Sequence, residues 1–161
     1  MKNNAYISLG SNLEDRLKFL QTAMAKLECE NLEIAKISSI YETDPQDLTN
    51  QPKFLNCVLM LKTEFDAFQL LAICQKIEAV IGKNKHIPRG PRNIDIDILA
   101  FNSEQISTPI LTLPHPRMHR RNFVLTPLRE IAPQFEIYGQ GIDIFLQRCT
   151  NQSVRPWKSG E

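Results

Sequence analysis

The sequence lacks several features that would assign it to a specialised class of protein. Its 161 residues include four cysteines but no CxxC pair, which argues against a compact zinc or disulfide motif. No apolar run reaches the ~20 residues that a membrane-spanning helix needs. The formal net charge is +1, so no long-range field favours nucleic acid or a membrane surface. Any basic site in this chain must therefore be local.

The length and the composition are those of an ordinary globular chain. Residues 1–161 fit a single domain, with 42% hydrophobic and 23% charged residues. Cys57 and Cys74 lie in apolar runs, and we expect both to be small buried side chains in a reducing compartment. The opening MKNNAYISLGS is too short and polar for a signal peptide, so a cytoplasmic location is expected.

Hydrophobic periodicity predicts an alternation of strands and helices. In chain order the pattern predicts strand 5–9, a helix with apolar positions from Leu13 to Leu27, strand 32–41, loop 42–53, strand 54–62, helix 66–82, strand 93–101 and helix 122–131. Ser11 and Glu14 match a capping box for the first helix, while Asp66 and Gly82 match the two ends of the second.

The order β-α-β-β-α-β favours an α+β ferredoxin-like sandwich with C-terminal additions. Such a sandwich has an antiparallel sheet with both helices on one face. The other face is then available for a site that loops complete.

NIDIDIL, residues 93–99, places two carboxylates on one face of a strand. Residues i and i+2 of a strand point the same way, so Asp95 and Asp97 share one face and the isoleucines share the other. Two neighbouring carboxylates suit Mg²⁺, which binds one or two of them together with substrate phosphates. A polar, solvent-facing side of the strand is the alternative interpretation.

The loop before this strand is basic. Lys83, Lys85, Arg89 and Arg92 precede the aspartates, and Gly90–Pro91 can turn the chain so that these cations approach them. Cations beside a metal-binding carboxylate pair indicate a polyanion between them, and a polyphosphate is the obvious candidate. Simple solvation of the basic loop is the alternative.

A second basic cluster is PHPRMHRRNF, residues 114–123. His115 and His119 are four residues apart, but Pro114 and Pro116 disfavour a regular helix and no third zinc ligand is nearby. Phosphate binding by a histidine and arginines is the better interpretation of this segment.

Asn56 interrupts the apolar run FLNCVLML. A buried amide needs hydrogen-bond partners, and a bond to the backbone would satisfy it. The functional alternative is recognition of a flat polar heterocycle, on which Phe54 and Phe123 could stack. Taken alone, either phenylalanine is better explained as part of the core than as a ligand clamp.

These residues resemble a known family, 6-hydroxymethyl-7,8-dihydropterin pyrophosphokinase. The resemblance rests on RGPRNIDIDIL at 89–99, AYISLGSN at 5–12, SSIYET at 38–43, NQPKFLN at 50–56 and LPHPRMHRRNFVLTPLREIAP at 113–133. It covers nearly the whole chain and is weakest over residues 134–161. It implies a ferredoxin-like fold, and transfer of the β,γ-pyrophosphoryl group of ATP to the pterin's hydroxymethyl oxygen, with release of AMP, in folate biosynthesis.

The resemblance also implies roles for individual residues. Two Mg²⁺ ions would be bound by Asp95 and Asp97, and the transferred group would be stabilised by Arg92, Lys83 and Lys85. The pterin slot would be formed by Phe54, Asn56 and Phe123, and Thr43 would bind the pterin through backbone contacts. The ATP side would include Leu71, Gln75, Glu78, Ile98, Thr112, His115 and Arg121. ATP and the pterin would be the only partners of a monomer, without nucleic acid or membrane.

The sequence departs from the family pattern at a few positions. Arg89 stands where a tryptophan is frequent and Pro116 where an aromatic residue is common, while Phe54 replaces a frequent tyrosine. Arg89 and Pro116 motivate one rival hypothesis, a degenerate non-catalytic paralogue. A ferredoxin-like RNA-binding module is the other rival, although two aspartates on the open sheet face would repel phosphate unless metals intervene.

Overall fold

The structure is a computed structural model that describes residues 1–13, 15–45, 51–82 and 93–158. The strands are β1 (Asn3–Ser11), β2 (Leu32–Ile37), β3 (Tyr41–Thr43), β4 (Phe54–Thr63), β5 (Asp95–Phe101), β6 (Ile106–Ser107), β7 (Thr112–Leu113), β8 (Glu136–Ile137), β9 (Gln140–Gly141) and β10 (Val154–Pro156). The α-helices are α1 (Arg16–Leu27), α2 (Ala67–Ile81), α3 (Asn122–Ile131) and α4 (Ile142–Gln147), with a 3₁₀ turn at Met118–Arg120.

The main sheet has six strands, all paired antiparallel. Its order is β10-β3-β4-β1-β5, and β2 also pairs with β4. With α1 between β1 and β2, and α2 between β4 and β5, this is the predicted ferredoxin-like order. The predicted strand 32–41 is two strands, because the chain leaves the sheet between Ile37 and Tyr41 and then pairs with the other end of β4.

The second helix follows its sequence signals closely. Asp66 accepts a hydrogen bond from Gln69 N at 2.8 Å, and Gln69 Oε1 accepts one from Asp66 N at 2.8 Å, so the capping box is complete. Gly82 ends the helix with φ +98°, a conformation that glycine adopts without strain. The predicted ends of α2 are therefore confirmed.

The predicted capping box of the first helix is wrong. Ser11 is the last residue of β1, where it pairs with Leu55, and α1 begins only at Arg16. Asp15 precedes the helix without a side-chain capping bond, and Glu14 lies outside the described residues. The strand runs further than its apolar pattern predicts because β4 continues to pair with it.

Two apolar clusters lie on opposite faces of the sheet. The first core packs α1 and α2 against the sheet through side chains such as Leu20, Leu70 and Ile77. The second core packs α3 and α4 against the other face through side chains such as Val124 and Phe145. The C-terminal additions α3 and α4 thus cover part of the second face, a packing that the sequence pattern did not predict.

Strand β5 contributes to both cores because it contains a bulge. Ile94, Ile96 and Ile98 are buried in the first core, as predicted. Between the pairs Tyr6–Ala100 and Ile7–Ile98 the register shifts, and Leu99 enters the second core. Consecutive residues near the bulge, Ile98 and Leu99, therefore have side chains in the first and the second core.

The cysteines of the core are buried as predicted. Cys57 and Cys74 are 0% and 1% exposed, and burial raises the pKa of each thiol to about 12. Both are therefore inert apolar side chains at neutral pH. Among the described residues, no helix is long and apolar enough to cross a membrane.

Candidate active site

Strand register places Asn56, Asp95 and Asp97, the predicted pterin and metal residues of the central strands, on one face of the sheet. Gly10 of β1 pairs with Asn56 of β4 on one side and with Asp95 of β5 on the other. Ser8 likewise pairs with Val58 and Asp97. Paired residues of antiparallel strands point to the same face, so the aspartates and Asn56 share one surface, which we call the site face.

Asn56 is held by a neighbouring side chain on the site face. It is 5% exposed and its Nδ2 donates to Thr43 Oγ1 at 2.5 Å. Thr43, on β3, is 2% exposed and pairs with Phe54. The partner of the amide is thus a side chain of the predicted pterin set and not the backbone, and the bond fixes the orientation of the Asn56 amide.

Gly10 lies directly beneath that amide. A Cβ atom at Gly10 would come within 2.8 Å of Asn56 Oδ1 and 3.5 Å of Phe54 Cδ1. Glycine is therefore required here by close approach, and sequence reasoning did not select it. The available signal was a glycine inside a strand pattern, which often marks such an approach.

The two phenylalanines of the predicted pterin set come from different elements. Phe54 begins β4 on the site face and is half-buried. Phe123, in the first turn of α3, packs against the second core, and the Arg121 guanidinium carbon lies 5.4 Å from its ring centre. This geometry is a cation–π contact, so Arg121 and Phe123 form one unit at the start of α3.

Asp95 and Asp97 are half-buried on the site face, with Ile96 between them in the first core. Among the residues that the structure describes, no group of three or more His, Cys, Asp or Glu side chains could hold a metal ion. Two carboxylates alone fit Mg²⁺, which completes its shell with water and substrate phosphates, better than a metal that needs a protein cage.

Three members of the predicted nucleotide set, Glu78, Ile98 and His115, lie along β5, an edge strand of the described sheet. Glu78 of α2 accepts a hydrogen bond from Ile96 N at 2.9 Å, and His115 N donates to Leu99 O at 2.9 Å. Ile98 lies between these two contacts, with its side chain buried in the first core. Any contact of Ile98 with a ligand must therefore use its backbone.

The remaining members of this set differ in exposure. Leu71 packs against the first core, whereas Gln75 is exposed one turn before Glu78. Thr112 is exposed on β7, the short strand that leads to His115. The structure therefore brings Glu78, Ile98 and His115 to one edge and leaves Leu71 oriented largely toward the core.

His115 is neutral over most of the physiological range. Burial is the main cause that lowers its pKa to about 4, and Arg121 and Arg117 act in the same direction. Its Nδ1 accepts a hydrogen bond from Arg117 N at 3.1 Å. A neutral imidazole with one nitrogen so engaged can offer a single N–H to a ligand.

His119 faces different partners. Its ring makes edge contacts with Tyr138 and Phe145, at centroid distances of 5.7 and 5.9 Å. The spacing of His115 and His119 in the sequence thus does not correspond to a shared cluster of ligands.

Hydrogen bonds to Glu130 of α3 join this helix to strand β3. The Glu130 carboxylate accepts from Tyr41 Oη at 2.7 Å, from Ser39 Oγ at 2.9 Å and from Ser39 N. Burial, then the bond to Glu130 and its charge, raises the pKa of Tyr41 to about 12. Sequence reasoning missed this link because its two ends are about ninety residues apart.

The predicted cations Lys83, Lys85 and Arg92 lie outside the described residues, as does Arg89. Residues 46–50 of the predicted loop 42–53 also lie outside them.

The antiparallel sheet and its helices place the protein in the ferredoxin-like α+β class of folds. Residues 6–133 match the sequence profile of 7,8-dihydro-6-hydroxymethylpterin-pyrophosphokinase (HPPK). The 2-amino-4-hydroxy-6-hydroxymethyldihydropteridine pyrophosphokinase of Bacillus subtilis (strain 168) is 43% identical over 159 residues, 98% of this chain and 92% of the relative. The enzyme of the same name from Aquifex aeolicus (strain VF5) is 44% identical over 128 residues, 80% of this chain and 79% of the relative.

Among solved structures, the wild-type HPPK-DHPS of Plasmodium falciparum with pteroate superposes with a TM-score of 0.76 at 17% identity. The superposition covers 92% of this chain, which spans only 44% of that protein. This likeness concerns the fold alone.

The chain belongs to the HPPK family. It is a pyrophosphokinase that uses ATP to transfer a pyrophosphoryl group to hydroxymethyldihydropterin in folate biosynthesis.

Proposed function

We propose that the pterin binds on the site face between Thr43, Phe54 and Asn56 on the sheet and Phe123 on α3. The observation that carries this assignment is the Asn56 amide, buried, fixed by Thr43 and lying over Gly10. A fixed amide presents one donor edge and one acceptor edge, which suits a flat heterocycle with polar edges. Phe54 and Phe123 then supply apolar ring faces.

Asp95 and Asp97 would bind two Mg²⁺ ions that also contact the triphosphate of ATP. The side chains share the site face with Asn56, one strand beyond β1, so a metal there would lie beside the bound pterin. When bound, Mg²⁺ neutralises phosphate charge and favours in-line transfer. The aspartates themselves are already held by a strand whose isoleucines are fixed in the first core.

The nucleotide would lie along the outer edge of β5. Backbone N–H groups of a strand alternate in direction, and that of Ile96 points outward to Glu78. The backbone of Ile98 should point the same way, where it could bond an adenine base. Further contacts are assigned to Leu71, Gln75, Glu78, Thr112, His115 and Arg121. Arg121, which lowers the pKa of His115 and lies over Phe123, would then stand between the two substrates.

Arg92, Lys83 and Lys85 are proposed to stabilise the transferred group and the departing AMP. Their assignment rests on the sequence alone, where they precede Asp95 on one basic loop. Transfer of this kind depends on positioning and on neutralisation of charge, so no general base from the chain is required.

The carboxylate assignment predicts that Asp95→Asn and Asp97→Asn each abolish magnesium-dependent AMP release. The amide keeps the size of the side chain but removes the charge that holds the metal. The assay measures AMP formed from ATP and 6-hydroxymethyl-7,8-dihydropterin over a magnesium titration. Asp143→Asn, on α4 and paired with Arg129, is the matched control and should retain wild-type turnover. Near-normal AMP release by either site variant would contradict the metal assignment, and none from the wild-type chain would favour a non-catalytic paralogue.

We further propose that residues 1–161 act as one domain, as a cytoplasmic monomer that binds these small molecules and no nucleic acid. The single domain is supported by the continuous sheet, in which β10 pairs with β3. Size-exclusion chromatography with light scattering measures the oligomeric state directly.

A further inference from the structure

The segment after α4 reaches back to the site. It lies beyond residues 6–133, the part of the chain that the family profile matches. We call residues 152–157 the C-terminal clasp. One end of the clasp contacts the start of α3, and the other end is β10, which pairs with β3.

Gln152 holds the backbone on both sides of Arg121. Its Oε1 accepts from Asn122 N at 2.9 Å, and its Nε2 donates to Arg120 O at 2.9 Å. Asn122 Nδ2 in turn donates to Gln152 O at 3.0 Å. The first N–H groups of a helix lack partners within the helix, and Arg121 supplies no side-chain cap. Gln152 therefore supplies this cap from a distant part of the chain and fixes the turn that carries Phe123.

The other end of the clasp holds β3. Val154 pairs with Thr43, and Trp157 N donates to Ile40 O at 2.9 Å. Arg155 donates to Glu42 Oε1 at 2.7 Å, while Arg16 of α1 donates to Glu42 Oε2 at 2.8 Å. The clasp, β3 and α1 are therefore joined at a single half-buried carboxylate.

The short length of the clasp limits how far apart its two ends can lie. Gln152 and Arg155 are three residues apart, which limits the distance between their Cα atoms to about 10 Å. One of them is bonded next to Phe123 and the other next to Thr43. The two elements that carry these residues cannot separate unless one end of the clasp detaches.

We propose that the C-terminal clasp is a positioning element for the pterin site, and that Gln152 and Arg155 are its positioning residues. The clasp sets the separation between β3 and the start of α3, and with it the width of the slot between Thr43 and Phe123. This inference rests on the proposed pterin site. It adds residues that contact neither substrate and act through Glu42, Arg120 and Asn122.

The single variants Gln152→Ala and Arg155→Ala should each raise the KM for the pterin roughly three- to tenfold, the effect of one or two lost hydrogen bonds. With Arg155→Ala, the KM for ATP and kcat should stay within about twofold. Arg155→Lys keeps a cation beside Glu42 and should restore much of the pterin KM. Exposed Gln147 of α4 provides the matched control, Gln147→Ala, with wild-type constants expected.

The double variant tests whether Gln152 and Arg155 act together, as the two ends of one clasp, or independently of each other. If the two residues act at the ends of one clasp, loss of either bond weakens the same restraint between β3 and the start of α3, while Glu130 still joins β3 to α3. Gln152→Ala with Arg155→Ala should then raise the pterin KM little beyond the larger single effect. Multiplication of the two single effects would overturn the proposal, as would an equal rise in the KM for both substrates with Arg155→Ala. If Gln152→Ala unfolds at the assay temperature, Gln152→Glu replaces it, because it retains the acceptor for Asn122 N.

Asn56→Ala separates this inference from the proposed pterin site. It should raise the pterin KM if that site is correct, whereas exposed Asn31→Ala, at the other end of the sheet, should not. A normal pterin KM in Asn56→Ala would overturn the pterin site itself. A raised KM in Asn56→Ala together with wild-type values in both clasp variants would overturn the clasp alone.

Discussion

At the scale of single residues, the site depends on the lack of a side chain at Gly10 as well as on the side chains around it. Gly10 leaves room for the Asn56 amide, and the Thr43 hydroxyl accepts from that amide. Asn56 could be selected from the sequence because a lone amide in an apolar run needs a partner. Gly10 and Thr43 could not be ranked in the same way, because their partner is recognised only once the three strands pair.

We predict that Gly10→Ala raises the KM for the pterin about tenfold, because a small misplacement of a binding group costs much of its contact. The new methyl group would force the Asn56 Oδ1 atom to move from its 2.8 Å contact. Overpacking should also lower the free energy of unfolding by about 1–3 kcal/mol. Steady-state kinetics and chemical denaturation measure the two effects.

Gly141→Ala is the matched control for this change. Gly141 has an ordinary φ of −64° and nothing within 4 Å of a built Cβ atom, so its pterin KM should equal that of the wild type. Equal KM values for the two alanine variants would contradict the close approach at Gly10.

At the scale of elements, helix ends that are set by neighbouring residues could be predicted from the sequence. Ends that depend on residues far away in the chain could not. Helix α2 has its N-cap, the third residue of its capping box and its terminal glycine within its own stretch of chain, and both ends were predicted. The Ser11–Glu14 pattern imitated such a box, but β4 extends the strand through Ser11. For α3, the bounds 122–131 were predicted, whereas its cap from Gln152, thirty residues later, could not be.

We predict that Asp66→Ala destabilises the chain by about 1 kcal/mol, because the first turn of α2 loses its capping acceptor. For a protein of this size, such a loss lowers Tm by about 2–4 °C. Asp66→Ser retains an acceptor and should recover most of the loss. Calorimetry of the three proteins decides the matter, and an unchanged Tm in Asp66→Ala would show that the cap contributes nothing.

At the scale of the whole molecule, the class of fold could be predicted but the covering of the second face could not. The β-α-β-β-α-β order depends only on the sequence of elements, and it was confirmed. The contact of α3 and α4 with the second face depends on residues 118–149. Their hydrophobic pattern did not predict which face of the sheet these helices would cover. Similarly, β10 is too short to stand out in a sequence, and pairing with β3 reveals it.

We predict that the chain unfolds in one cooperative transition, because both cores share the central strands of the sheet. Trp157, the only tryptophan, packs against the first core next to β10, so its fluorescence reports on the C-terminal end. Its denaturation curve should coincide with the curve from far-ultraviolet circular dichroism. Loss of the tryptophan signal at a lower denaturant concentration would show that the C-terminal segment unfolds separately.

Because Gly10 pairs with both Asn56 and Asp95, the spacing of the strands fixes the distance between these two residues. Neighbouring strands lie about 4.8 Å apart, so the Cα atoms of Asn56 and Asp95 are separated by about 10 Å across β1. Backbone hydrogen bonds set this interval, and side-chain identity has almost no influence on it. Relatives can therefore exchange most apolar residues of these strands without altering how far a heterocycle lies from the carboxylates. Divergence in substrate preference should then accumulate in the connections between strands, and an engineer who wishes to move one group relative to the other must change the number of strands or their register.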